Sequence, residues 1–216
     1  MTSVPSNCTS FLVAFLILIV RCAWPGYGHQ PAALSEEIAE VESAGVKINL
    51  CISDRATLCL PLHALEDTLE EQRLGDAAYG STRQGIAPAY GDRVMKKGIL
   101  VGWLQQPEVL EQRLQFMLDW KMPQLKALYP QCDYSQSAKE ITEWLLKVTK
   151  SWRPFICNVT EPLKALQAKD ANLLFEAQLG AGRDLVYGEY PWTTSSNVTA
   201  AYAGIGSGLP ALDLNA

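Results

Sequence analysis

From Pro31 onward the apolar positions of the chain fall into alternating helical and strand-like spacings. PAALSEEIAEVESAG sets Leu34, Ile38 and Val41 on one face and stops at Gly45, which predicts an amphipathic helix. VKINLCIS then alternates, with Val46, Ile48, Leu50 and Ile52 on one side, the period of a strand. LHALEDTLEEQR returns to helical spacing through Leu62, Leu65 and Leu69, with its acids predicted to face water. PEVLEQRLQFMLDWK (Leu110, Leu114, Met117, Leu118) and AKEITEWLLKVTK (Ile141, Trp144, Leu145, Val148) predict two more helices. PFICNV, EPLKALQAK and NLLFEA follow as strand, helix and strand. Helices alternating with short apolar strands imply an α/β fold, a mostly parallel sheet flanked by helices.

Such folds hold ligands where strands end and loops begin. Two loops have a suitable composition. GSTRQGIAPAYGDRVMKKG, residues 80–98, combines glycines with the hydroxyls of Ser81 and Thr82 and closes on Arg93, Lys96 and Lys97, a set that suits an anion. LGAGRD, residues 179–184, leads into YGEYPWTTSSN. For each, a plain turn with glycines at positive φ is the ordinary alternative. Neither the Walker A spacing G-x-x-x-x-G-K-[ST] nor the Rossmann fingerprint G-x-G-x-x-G occurs, and GIGSG at 204–208 fits neither. His29 and His63, one in the tail and one in a helix, support no Ser-His-Asp arrangement.

A chain of 216 residues accommodates one domain, or one domain and a tail, and its net charge of -5 argues against a nucleic-acid partner. None of Cys8, Cys22, Cys51, Cys59, Cys132 and Cys157 forms a C-x-x-C pair, so the expectation is reduced thiols and no zinc site. The first thirty residues do not follow the pattern of the rest. Phe11–Val20 is a run of ten apolar residues, roughly half of the ~20 that span a bilayer. It suits a targeting core, a buried element, or a segment foreign to the domain. N-x-[ST] sequons stand at Asn7, Asn158 and Asn197.

The two loop blocks carry a family resemblance. GSTRQGIAPAYGDRVMKKGILVG resembles the G-T-T-x-x-G-I-G-P-A-Y loop and following segment of the adenylosuccinate synthetases. LLFEAQLGAGRDLVYGEYPWTTSSNVTAAYAGIGSGLP is similar to their F-E-G-A-Q-G…Y-P-x-x-T-S-S-N region, and PAALSEEIAEVESAGVKINLCISDRATLCLPLHALE to the segment before the first block. The resemblance spans residues 31–210, leaving 1–30 as a non-family apolar tail and 211–216 as a non-family end. It implies a partial P-loop-NTPase-like fold and a cytoplasmic, GTP- and magnesium-dependent ligase of AMP biosynthesis. In that reaction GTP phosphorylates the purine 6-oxygen of IMP, and the amine of L-aspartate displaces the phosphate.

By the same resemblance Thr82 and Thr194 contact IMP. Lys96 stands where the family has an arginine that reaches the partner protomer's IMP across a homodimer; lysine keeps the charge but loses the bidentate fork. The family's glutamine that steadies the IMP oxygen matches Leu179 without gaps, and a one-residue shift brings Gln178 there. The G-D-E-G-K-G phosphate loop with its catalytic aspartate and magnesium ligand, the histidine segment, the aspartate loop and the guanine-recognition segment find no counterpart in the sequence. The expectation is therefore part of an IMP pocket, without GTP- or magnesium-binding segments, inactive alone. Other readings are a non-catalytic protein that binds IMP or dimerises, and a secreted or membrane-tethered module led by Phe11–Val20.

Overall fold

The computed structural model describes residues 30–176 and 179–209. Phe11–Val20, Cys8, Cys22, Asn7, His29, Gln178 and the 211–216 end lie outside the described residues. Seven α-helices are present among those described: α1 (Gln30–Ser43), α2 (Pro61–Leu74), α3 (Ile86–Val94), α4 (Pro107–Leu128), α5 (Ala138–Val148), α6 (Thr160–Gln167) and α7 (Tyr202–Ser207). Two short strands, β1 (Ile52–Ser53) and β2 (Ile156–Cys157), pair in parallel with Ile52 opposite Ile156 and Ser53 opposite Cys157. The α/β class with a parallel pair flanked by helices matches the alternation in the sequence.

The strands are shorter than the alternation predicts. Of residues 46–53 only the last two pair, and burial rises along the segment from the exposed Val46 to the fully buried Ile52. Backbone pairing needs a neighbour as well as an apolar face, and β1 finds one only along β2. Residues 172–176 of NLLFEA form no strand, and Leu174 is 73% exposed. Just past β1 the chain runs antiparallel to 99–102, where Leu58 donates to Ile99, Val101 to Ala56 and Gly102 to Asp54, each at 2.8 Å.

The main core gathers Leu34 and Ile38 of α1, Leu62 and Leu69 of α2, Leu110, Leu114, Met117 and Leu125 of α4, and Ile141 and Leu145 of α5 around Ile52 and Ile156. These include most of the apolar positions that helical spacing selects; Val41, 41% exposed, lies outside the core. Trp152, fully buried, donates its indole N–H to the Pro31 carbonyl at 3.2 Å and ties the end of α5 to the start of α1. Ser137 and Glu140 form a capping box at α5: the Glu140 carboxylate accepts the Ser137 N–H at 2.8 Å.

Helix α3 is an element that the loop-like composition of GSTRQGIAPAYGDRVMKKG conceals. Gly85 caps it in the left-handed conformation, φ 78°, packed so closely on α2 that a Cβ would lie 2.4 Å from the His63 carbonyl carbon. Of Cys51, Cys59 and Cys157, whose apolar, strand-like contexts predict buried thiols, Cys59 is buried while Cys51 and Cys157 are half-buried; Cys132 is buried as well. The Cys157 thiol is pushed up to about 11 by burial and by hydrogen bonding to Cys51.

Candidate functional site

The first loop is held by acids of α2. Asp67 accepts the Ser81 hydroxyl at 2.7 Å and the Gly85 N–H at 2.9 Å, while Glu71 accepts the N–H groups of Tyr79 and Gly80 at 3.2 and 3.1 Å. Both acids are buried, so the expectation that the acids of α2 face water is corrected: two of them, one turn apart, face the loop. The Ser81 hydroxyl and the Gly80 and Gly85 amides are thereby committed within the protein. Thr82, exposed between the two clamps, is the hydroxyl this loop presents outward. Arg83 follows it at φ 58°.

Lys96 stands at the other end of α3, exposed and left-handed at φ 63°, in a turn closed by Lys97 and Gly98 donating to the Asp92 carbonyl at 2.7 and 2.9 Å. Nine helical residues lie between the Thr82 loop and this turn, about 14 Å at 1.5 Å per residue. Thr82 and Lys96 thus occupy opposite ends of a rod. The Lys97 ammonium lies 4.4 Å from the Phe116 ring centre and 5.5 Å from that of Trp120.

Beneath α3 a buried charged network locks it to α2 and α4. Nδ1 of His63 accepts the Leu60 N–H at 2.9 Å, taking the place of the usual glutamate in a capping box, so Nε2 carries the proton and donates to Asp92 at 3.0 Å. Lys121 bridges Asp92, at 2.8 Å, and Glu66. Burial alone would raise the Asp92 carboxyl, but the His63 hydrogen bond and the Lys121 ammonium hold it below its usual range. All four side chains are spent on one another, which makes this a structural clamp.

The second loop is stapled by Asp184. Its fully buried carboxylate accepts four backbone N–H groups: Val186 at 2.9 Å, Tyr187 at 3.1 Å, Val198 at 2.6 Å and Thr199 at 3.3 Å. Burial works upward on this carboxyl, yet the backbone donors bring it down to about 2. Thr194, half-buried, is fixed by its N–H on the Arg183 carbonyl at 2.8 Å, and Leu185 donates to Ser196 at 3.1 Å. Gly188 has no room for a Cβ, which would lie 2.4 Å from the Asp184 carbonyl oxygen. Asp184 escapes periodicity because its partners are backbone groups across a loop; an acid at the head of a long polar connection is the only trace in the sequence. Gln178 lies outside the described residues, and Leu179 is 62% exposed at φ 65°.

The two clamped loops stand in the order of the family motifs, with Thr82 exposed in the first and Thr194 half-buried in the second. Residues 25–216 match the family model for adenylosuccinate synthetase. The chain belongs to the adenylosuccinate synthetase family. It is 84% identical over 188 residues to adenylosuccinate synthetase 2 of Pseudoalteromonas translucida (strain TAC 125), covering 87% of this chain and 45% of that protein. It is 36% identical over 187 residues to the adenylosuccinate synthetase of Thioalkalivibrio sulfidiphilus (strain HL-EbGR7), covering 86% and 43% of the two chains. The chain thus spans less than half the length of these curated relatives. The structure of fully ligated adenylosuccinate synthetase from Plasmodium falciparum superposes with a TM-score of 0.66 over 81% of this chain and 41% of that one, at 24% identity, which shows the fold. That fold agrees with the P-loop-like α/β expectation.

Among the described residues no helix is long and apolar enough to cross a membrane. Nor does any group of three or more His, Cys, Asp or Glu among them come together to hold a metal ion.

Proposed function

We propose that this chain supplies the IMP phosphate-binding loops of an adenylosuccinate synthetase, the cytoplasmic ligase that joins IMP to L-aspartate at the expense of GTP. Thr82 and Thr194 donate their hydroxyls to the nucleotide phosphate, and Lys96 adds a positive charge to the same group on a partner protomer. The observation that supports this reading is that each of the two family-motif loops is clamped by a buried acid, Asp67 with Glu71 in the first and Asp184 in the second, with Thr82 exposed in the first. The length of α3 supports the homodimer: Lys96 lies too far along it to share a phosphate with Thr82 of the same chain. Gln178 is the proposed contact to the IMP oxygen.

The chemistry of that reaction is phosphorylation of the purine 6-oxygen followed by displacement by an amine. The described residues offer no three-ligand metal group, so no step through magnesium or GTP is assigned to them. Their part is to bind and orient IMP, which suits positioning-dominated phosphoryl chemistry. The test is calorimetric titration of the chain with IMP and with inosine. Saturable binding of IMP, absent for inosine and weakened at least tenfold by Thr82→Ala, is expected; equal binding of the two ligands would overturn the assignment of these loops to the phosphate.

A further inference from the structure

A separate pocket of about 240 Å³ opens at the C-terminal ends of both strands, between α3, the start of α6 and α7. Arg55, just beyond β1, and Arg93, in the last turn of α3, both line it, together with Thr57, Asn158, Thr160 and Tyr202. No Asp or Glu is part of its wall. Asp92, next to Arg93, is turned to His63 and Lys121, and Asp54, next to Arg55, stays outside the wall. Two exposed arginines therefore border one cavity in a chain whose net charge is -5. None of Thr82, Lys96 and Thr194 lines it.

Where α6 and α7 meet, the wall is set by packing. Thr160 donates its hydroxyl to the Ser207 carbonyl at 3.3 Å, and Gly208, at φ 72°, sits where a Cβ would lie 2.4 Å from that hydroxyl. This fixes the end of α7 against the start of α6. The place is where open α/β sheets hold ligands, beyond the carboxyl ends of parallel strands. Guanidinium forks match the two oxygens of a carboxylate or phosphate edge. A volume of about 240 Å³ lies below the usual ~300–1,000 Å³ of a drug-sized ligand site, so a compact anion fits better than a whole nucleotide.

We propose that this pocket is a second anion site, distinct from the threonine loops, which takes a small dianionic oxyanion between Arg55 and Arg93 with Thr57 and Asn158 as neutral hydrogen-bonding partners. The chemistry is that of a small phosphomonoester or a short dicarboxylate. Calorimetry of the full chain with inorganic phosphate and with succinate, in chloride buffer, separates the two. One-site binding of phosphate marks a phosphomonoester site, of succinate a dicarboxylate site, and either supports the proposal. Arg55→Ala and Arg93→Ala each weaken that binding at least tenfold. Phenylglyoxal labelling of the unaltered protein, read by peptide mass, removes dependence on the variants: the bound anion slows modification of both Arg55 and Arg93. Failure of both anions to bind the folded chain, binding that survives both arginine variants within twofold, or labelling indifferent to either anion would overturn it.

Discussion

Asp67 Oδ2 accepts the backbone N–H of Gly85 at 2.9 Å, from one helix to the cap of the next, and the loop that presents Thr82 is strung between them. Because Asp67 is buried and its second oxygen takes Ser81, both contacts are charge-assisted bonds that water does not replace. Asp67→Asn exchanges an acceptor oxygen for a donor nitrogen facing one of these groups. The expected cost is about 1.5–3 kcal/mol, measured by urea denaturation, with faster amide exchange concentrated at residues 79–85.

Gly80 and Gly85 share positive φ but differ in surroundings. A Cβ at Gly80 meets nothing within 4 Å, whereas one at Gly85 runs into the backbone of His63 and Ala64 at 2.4 and 2.5 Å. Gly80→Ala should therefore cost only the left-handed strain, about 1–2 kcal/mol. Gly85→Ala should cost clearly more, because α3 must move off α2. Equal denaturation midpoints for the two variants would contradict the close approach.

Asp184 predicts an acid limit for the second loop. Its folded value of about 2 lies below the ordinary 3.8, so its contribution to stability is complete above about 3.8 and is lost as pH falls through about 2. The amide resonances of Val186, Tyr187, Val198 and Thr199 should titrate together with a midpoint near 2. A midpoint at the ordinary carboxylate value would show that the staple is absent in solution. Asp184→Asn should abolish the joint titration and speed exchange across 185–199 while leaving α4 and α5 protected.

Lys121 neutralises two carboxylates at once. Lys121→Met leaves Asp92 and Glu66 facing each other in the interior without a cation, and removal of one partner of a buried ionic group costs about 3–5 kcal/mol. The stability lost should be greatest at neutral pH and smaller in acid, where protonation of Asp92 removes the charge that Lys121 balances. A loss below about 1 kcal/mol in urea at neutral pH would count against a buried network.

Much of the helical scaffold is legible in the sequence because its signal is periodic. Leu34 and Ile38, Leu110 and Leu114, Ile141 and Leu145 repeat at the spacing that turns them to the core where they are found. Strand length is not legible, since Val46 and Ile48 alternate correctly yet lie along a stretch that does not pair. Helix α3 is hidden by glycines and a proline that ordinarily mark turns, and its stability comes from Gly85 against α2 and Asp92 on Lys121, both long-range. For the same reason the clamps Asp67, Glu71 and Asp184 are missed: their acceptors serve distant backbone groups, which leave no period. The threonines themselves are reached only through the family pattern around them.

In the proposed function Thr82 and Thr194 grip one phosphate from two clamped loops. The most direct measurement is a double-mutant cycle of IMP affinity by calorimetry on the parent chain, Thr82→Ala, Thr194→Ala and the double variant. If both hydroxyls reach the same group, each single change weakens IMP binding at least tenfold and the double variant loses less than the product of the two. Unchanged IMP affinity in either single variant, with the fold intact by circular dichroism, would contradict the account.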